Sequence, residues 1–260
     1  MTIDYKPIRM KRIYEIVADL IKSKVFSGEY KVGDRLPTAG DLAEMIGVSR
    51  NAVQHAYHVL ELSGGVEIRK GPEGGAFISD PSHKPIIRSI SDLLFLRKIT
   101  LEDITEARLM LEKGLAELVI ERFKQEDIRE LEAWIDKAFN KLEQGIPSYE
   151  ENIHFHIRLF QTAHNPLMSM VYSSVMELLL LTLKILPADF AASRKVAEEH
   201  RCIITLLKEK RLEELSELLV RHIHEANKRL LAKTRKVNGS PSTLLSNDVS
   251  DLTKSLIRTA

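Results

Sequence analysis

The chain has 260 residues, 44% hydrophobic and 29% charged, a balance that fits a globular protein of one large or two ordinary domains. A net charge of +1 excludes a strongly basic nucleic-acid coat, so any DNA footprint must be local: Lys6, Arg9, Lys11 and Arg12 cluster against Asp4, yet residues 1–80 balance 11 Lys and Arg with 11 Asp and Glu. One cysteine excludes an intrachain disulfide framework; with no apolar core at the N-terminus and the greasy run 178–186 broken by Lys184, the expectation is a cytoplasmic protein that does not enter a membrane.

Glycine divides the chain. Nine of the 12 glycines fall between positions 28 and 75, and only Gly114, Gly145 and Gly239 follow. Residues 28–80 therefore read as short elements and turns, and the remainder as long helices. Ahead of the turns, Ile13, Ile16, Val17, Leu20 and Ile21 recur at helical spacing, with Gly28 as a stop. Thr38 and Ser49 are placed to cap two short helices, 38–46 and 49–63, closed by Gly47 and Gly64. Val66–Arg69 and 76–79 flank Gly71-Pro72-Glu73-Gly74-Gly75 as a hairpin.

On the second short helix Val53, Ala56, Tyr57 and Leu60 share one face and should pack inward. Arg50, Asn51 and Gln54 then face out near the N-terminus, with chemistry that reads base edges: arginine at guanine, Asn or Gln at adenine. Three helices and a glycine-rich hairpin outline a winged helix-turn-helix over residues 1–80.

The prolines of Asp80-Pro81-Ser82-His83-Lys84-Pro85 mark a linker at 81–85. Seven helices follow near 86–98, 101–123, 126–144, 149–163, 166–186, 191–209 and 211–232, an all-α domain, and 233–260 reads as a polar tail. Thr100 opens a Thr-x-x-Asp cap, Ser148 and Glu151 form a capping box, and Asn165-Pro166 pairs an N-cap with a first-turn proline. Cys202 beside Ile203 and Ile204 reads as a small core residue, and Trp134 and Phe139 as packing.

Three of the nine histidines, His156, His200 and His222, fall on different helices, and Asn152 shares the face of His156. A bundle core can collect one imidazole from each of several helices around a metal, or seat them as ordinary core and surface groups. His154 points off that face, and His164 serves a helix end. No His-Glu-x-x-His, phosphate loop or nucleophile elbow is present, which argues against an enzyme.

The stretch from Gly33 through Gly65 resembles the DNA-binding signature of the GntR family. It matches at Gly33, Leu36, Pro37, Leu42, Ala43, Gly47, Val48, Ser49, Arg50, Val53, Ala56 and Leu60, and at Gly75-Ala76-Phe77 in the wing. The resemblance implies a homodimeric regulator of a two-fold operator in double-stranded DNA, with Arg9, Thr38, Ser49, Arg50, Asn51, Gln54, Lys70 and Gly71 at the interface. Two arginines of the signature are replaced, one within Ala39-Gly40 and one by Gln54, which implies an altered operator or weaker binding.

The helical part resembles the FadR-type (FCD) ligand-binding domain through Glu106, Arg108 and Glu112, Phe155-His156, Asn165-Pro166-Leu167, Glu199-His200 and His222. This resemblance implies a divalent metal, Zn or Ni, on Asn152, His156, His200 and His222, with Asn152 standing where members of the family carry aspartate. It also implies a small carboxylate effector near Arg108 and Glu112. Arg108 meets that carboxylate or pairs with Glu106 or Glu112; a metal-free site for an apolar ligand is the alternative left open by Asn152, and a sensing dimer with weakened DNA binding the one left by the missing arginines.

Overall fold

The computed structural model describes residues 11–80, 84–96, 98–184 and 186–236. The chain divides into two compact units, Met1–Pro85 and Ile86–Ala260. It is mainly helical, with a small antiparallel wing in the first unit.

The N-terminal unit contains α1 (Ile13–Phe26), α2 (Ala39–Ile46), α3 (Arg50–Leu62), β1 (Val66–Arg69) and β2 (Gly75–Ile78). Thr38 Oγ1 accepts from the Asp41 amide and Ser49 Oγ from the Ala52 amide, each at 3.2 Å, so both hydroxyls start helices as expected. Gly47 ends α2 at φ +68°, a left-handed turn that a Cβ would strain. Val53, Ala56, Tyr57 and Leu60 are all buried and face Val17, Ile21, Leu36 and Leu42.

The first helix buries only part of the apolar stripe that its periodicity marks out. Val17, Ala18 and Ile21 are buried, but Ile13, Ile16 and Leu20 remain exposed, because the small core covers a narrower face than the apolar pattern offers. In the wing, Val66 faces Ile78 and Arg69 faces Gly75. Residues 33–36 run beside β2, with the Gly33 amide donating to Ile78 O and the Leu36 amide to Ala76 O. A Cβ at Gly74 would come within 2.5 Å of Arg69 O, so the wing turn closes only on glycine.

The second unit consists of α4 (Lys84–Phe95), α5 (Leu101–Arg122), α6 (Gln125–Glu143), α7 (Tyr149–Gln161), α8 (Pro166–Lys184), α9 (Phe190–Lys208) and α10 (Leu212–Lys236). The last two residues of the expected linker are helical; Pro85 is tolerated in a first turn, where amides have no intrahelical acceptor. The final helix continues to Lys236, so the first residues of the expected tail are helical, while 237–260 lie outside the described residues.

Thr100 and Asp103 form a reciprocal capping box, and Asn165 Oδ1 accepts from the Met168 amide at 3.1 Å. The expected box at Ser148 does not form. Ser148 is fully buried with ψ 34° and receives the Asn152 side-chain amide, while Glu151 is drawn to Lys141 at 2.7 Å. Cys202 is exposed, contrary to expectation, because the inward face of α9 passes through Ile203 and Ile204.

The main core joins Phe155, Leu159, Phe160, Tyr172, Met176, Ile203, Leu207, Leu215 and Leu219. Each such side chain contributes about 1.5–3 kcal/mol on burial. By length and composition alone α8 could span a membrane, with mean hydropathy 1.5 over its window. Its apolar character has a simpler use, since Tyr172, Met176, Leu178 and Leu180 are buried in the helical cores.

Candidate functional site

Two sets of residues stand out, one on the surface of the N-terminal unit and one inside the helical bundle. On α3, Arg50, Asn51 and Gln54 are exposed, as is Lys70 at the wing, and none of the four makes a side-chain hydrogen bond or ion pair with a described residue. Gly71 is exposed beside Lys70 at φ +103°. Thr38 and Ser49 are exposed at the helix starts with their hydroxyls used as caps. Arg9 lies outside the described residues. Sequence reasoning missed two supports. Arg35 ties the preceding loop to the wing through Gly74 O at 2.5 Å, and His55 stacks on Tyr14 with ring centroids 4.0 Å apart. Both are contacts between residues 39 or more apart in sequence, which periodicity does not register.

Inside the helical unit, α7, α9 and α10 bring His156, His200 and His222 together, all fully buried. His156 Nε2 lies 3.0 Å from His222 Nε2 and 3.1 Å from His200 Nε2. Their neighbours set the tautomers. His222 Nδ1 is 2.7 Å from Glu199 Oε2, so that nitrogen carries the proton and Nε2 presents a lone pair. Arg108 Nη2, which can only donate, is 3.0 Å from His156 Nε2, which is therefore also an acceptor. His156 Nε2 has one lone pair, engaged by Arg108, and stands 3.0 Å from a second acceptor with no proton between them, an arrangement that a shared cation taking the place of the Arg108 contact relieves.

The fit to a metal can be checked by geometry. Nitrogens about 2.1 Å from one ion stand about 3.0 Å apart at right angles and about 3.4 Å apart at the tetrahedral angle. The observed separations of 3.0 and 3.1 Å match the first case. Asn152 Oδ1 adds a buried oxygen with no hydrogen-bond partner, one turn before His156 on α7. The Glu199 carboxylate behind His222 is the outer support that metal-bound imidazoles usually have. Histidines and amide oxygen together suit a divalent cation of the Zn or Ni kind.

Charge in this core is managed by a second group. Arg108 Nε donates to Glu112 Oε1 at 2.5 Å, and Tyr172 OH donates to the same oxygen at 2.7 Å. The pairing of Arg108 with Glu112, one of the two readings the sequence left open, is realised; Glu106 is exposed. Glu112 Oε2 has no partner. Burial, then the Arg108 charge, holds His156 well below the usual imidazole range, and burial with His222 and Arg108 does the same for His200. Both imidazoles are therefore neutral near pH 7, the form that binds metal. Burial pulls the Arg108 guanidinium down, but Glu112 and Tyr172 more than offset it. Tyr172, buried beside Glu112, is raised well above its ordinary range and stays a donor.

A cavity of about 110 Å³ opens against this cluster, with Arg108, Asn152, His156 and His222 on its wall. His200 contributes to the histidine triangle but not to that wall. Tyr172 and Glu199 were not assigned roles from sequence; only the adjacency of Glu199 to His200 hinted at the second. His154 leans on Trp134 at 5.0 Å, away from the cluster.

A winged helix-turn-helix with unpaired base-reading side chains, in one chain with a helical unit holding a largely apolar cavity that ends on a polar cluster, is the architecture of a DNA-binding regulator with a small-molecule site. Comparison with known proteins makes this specific. The family model described as bacterial regulatory proteins, gntR family, matches residues 13–78, and that of the FCD domain matches residues 103–225. The chain belongs to the GntR family of transcription regulators and carries an FCD effector-binding domain.

It is 25% identical to the Uxu operon regulator of Haemophilus influenzae over 228 residues, covering 85% of this chain and 83% of that one. It is 24% identical to the HTH-type transcriptional repressor NanR of Klebsiella aerogenes, covering 89% and 91%. Among solved structures, Streptococcus agalactiae GntR is similar with a TM-score of 0.64 and 26% identity, over 83% of this chain and 99% of that one.

Proposed function

We propose that the chain is a cytoplasmic, FadR-type homodimeric repressor that holds a two-fold operator and releases it when a small organic acid binds at a divalent metal in the helical unit. The observation that carries the reading is the meeting of three buried Nε2 atoms, two of them fixed as acceptors by Glu199 and Arg108. Nitrogen acceptors held face to face in a dry core destabilise it unless a proton or a cation lies between them. The repressor role is supported by one relative, NanR, which is named a transcriptional repressor.

In this scheme His156, His200, His222 and the Asn152 oxygen hold Zn or Ni, which supplies a positive charge for the acid's carboxylate. Arg108, once the cation replaces its contact with His156, offers the same carboxylate its guanidinium edge, while Glu112, itself held by Tyr172, keeps the guanidinium in place. Arg50, Asn51 and Gln54 read bases, Lys70 and Gly71 meet backbone phosphates, and Thr38 and Ser49 set the helix starts at the groove. An acid that binds one arrangement of the two heads more tightly shifts the population toward it, and operator affinity follows.

A metal-free version has one observation in its favour: Arg108 already brings a positive charge to His156 Nε2. Selection of duplexes from a random pool by full-length protein, with and without chelator, tests both. A two-fold site enriched by the full chain supports the regulator, and enrichment lost on Arg50→Ala, Gln54→Ala assigns it to α3. No enrichment in any metal state overturns the reading.

A further inference from the structure

The cavity wall is chemically divided. Arg108 and His222 each place a nitrogen 3.0 Å from His156 Nε2, and the rest is largely aliphatic, from Ile104, Ile153, Leu179, Leu183, Val196 and Leu230. Most other polar groups on the wall are already engaged. Thr105 donates to Leu101 O, Tyr149 OH joins Pro187 O and the Asp189 amide, and Lys233 pairs with Asp189. Apart from Asn152, given to the cation above, Asn227 is different. It lines the cavity, and its Oδ1 is buried with no partner. On α10 it follows His222 by five residues, about 7.5 Å along the axis. A buried acceptor in an aliphatic wall calls for a donor from the ligand.

We infer that the effector is a monocarboxylate with a compact apolar body and a single hydrogen-bond donor, a hydroxyl or an amine, at the end away from the carboxylate, received by Asn227. This rests on the effector-site reading above and narrows it. A polyhydroxylated acid is disfavoured because, beyond Asn227 and the Ser193 hydroxyl, most of its hydroxyls would lie against leucine and isoleucine side chains. The volume, about 110 Å³, is below the roughly 150 Å³ of a dry cavity that accepts benzene, so the enclosed body has at most about six carbons. A para-substituted ring or an extended chain of about five to six carbons bridges the axial distance from His222 to Asn227.

The test is calorimetric titration of full-length, metal-loaded protein with two matched pairs, benzoate with 4-hydroxybenzoate and hexanoate with 6-hydroxyhexanoate, and with gluconate as the polyhydroxy comparator. In at least one pair the hydroxylated member binds about tenfold tighter or better than its partner, and gluconate binds more weakly than both. Asn227→Leu removes that preference; Asn227→Asp, which keeps an acceptor, retains it. Gluconate binding as well as the others, or a hydroxyl preference that survives Asn227→Leu, overturns the inference while leaving a carboxylate effector intact. If no carboxylate binds, acetate included, the effector-site reading fails and this inference fails with it.

Discussion

In the N-terminal unit the core of Val17, Leu36, Val53, Tyr57 and Leu60 is apolar, and Arg50, Asn51 and Gln54 stand in solvent; in the helical unit Arg108, Glu112, Asn152 and three histidines lie within the core itself. Among the described residues, every buried side chain classed as polar or charged belongs to the helical unit. A DNA reader keeps its polar groups outside, where water satisfies them until a groove replaces it. A metabolite sensor must keep them inside, where each needs a partner, and the partners reveal what is expected to arrive. The unpartnered atoms Glu112 Oε2, Asn152 Oδ1, His156 Nδ1 and Asn227 Oδ1 therefore bear on function, and the exposed Arg50, Asn51 and Gln54 of the head bear on it only through their freedom.

The largest way to sharpen this contrast is to strip a buried charge of its partner. Glu112→Leu leaves Arg108 buried against Tyr172 and the histidines, and should cost about 3–5 kcal/mol in urea unfolding of the helical unit. Glu214→Ala, at the exposed pair with Arg211, should leave the same transition in place. Equal effects would break the contrast.

Metal comes next. Free Zn²⁺ at a hundred times its dissociation constant should raise the stability of the helical unit by about 2.7 kcal/mol, read as an upward shift of its unfolding transition. His200→Ala should abolish the shift, and a head variant such as Gln54→Ala should keep it. At the DNA surface, Gln54→Ala should lose about 1–3 kcal/mol of discrimination at one base pair, measured by competition with single-base operator variants, with no change in unfolding.

The smallest effect lies in the core of the head. Tyr57 OH donates to Pro37 O at 2.7 Å, and burial pushes its pKa up to about 12. The raised value means the protonated form is favoured by folding. Its contribution is complete below pH 10 and is lost as pH rises from 10 toward 12. Tyr57→Phe should cost about 1 kcal/mol near neutrality and should flatten that alkaline loss.

Much of this was legible in the sequence because it is local. Thr38, Ser49, Gly47 and Thr100 mark helix ends through hydrogen bonds only a few residues long, and a 3.6-residue period locates the buried face of α3. The histidine triangle was legible only through resemblance, since spacing alone does not bring His156, His200 and His222 together. What escaped is three-dimensional: Tyr172 reaches Glu112 across 60 positions, and Asn227 is orphaned by its aliphatic surroundings. Local rules also misread Ser148 and Cys202. At Ser148 a buried contact with Asn152 outcompeted the cap, and at Cys202 one step around the helix separates core from solvent.

The account turns on whether the buried triangle is a cation site, and elemental analysis of full-length protein settles that most directly. Chelator-treated protein exposed to Zn²⁺ or Ni²⁺ and then desalted should retain one ion per chain, and both His200→Ala and His222→Ala should retain none. Wild-type protein that emerges without stoichiometric metal, or variants that keep it, would contradict the account.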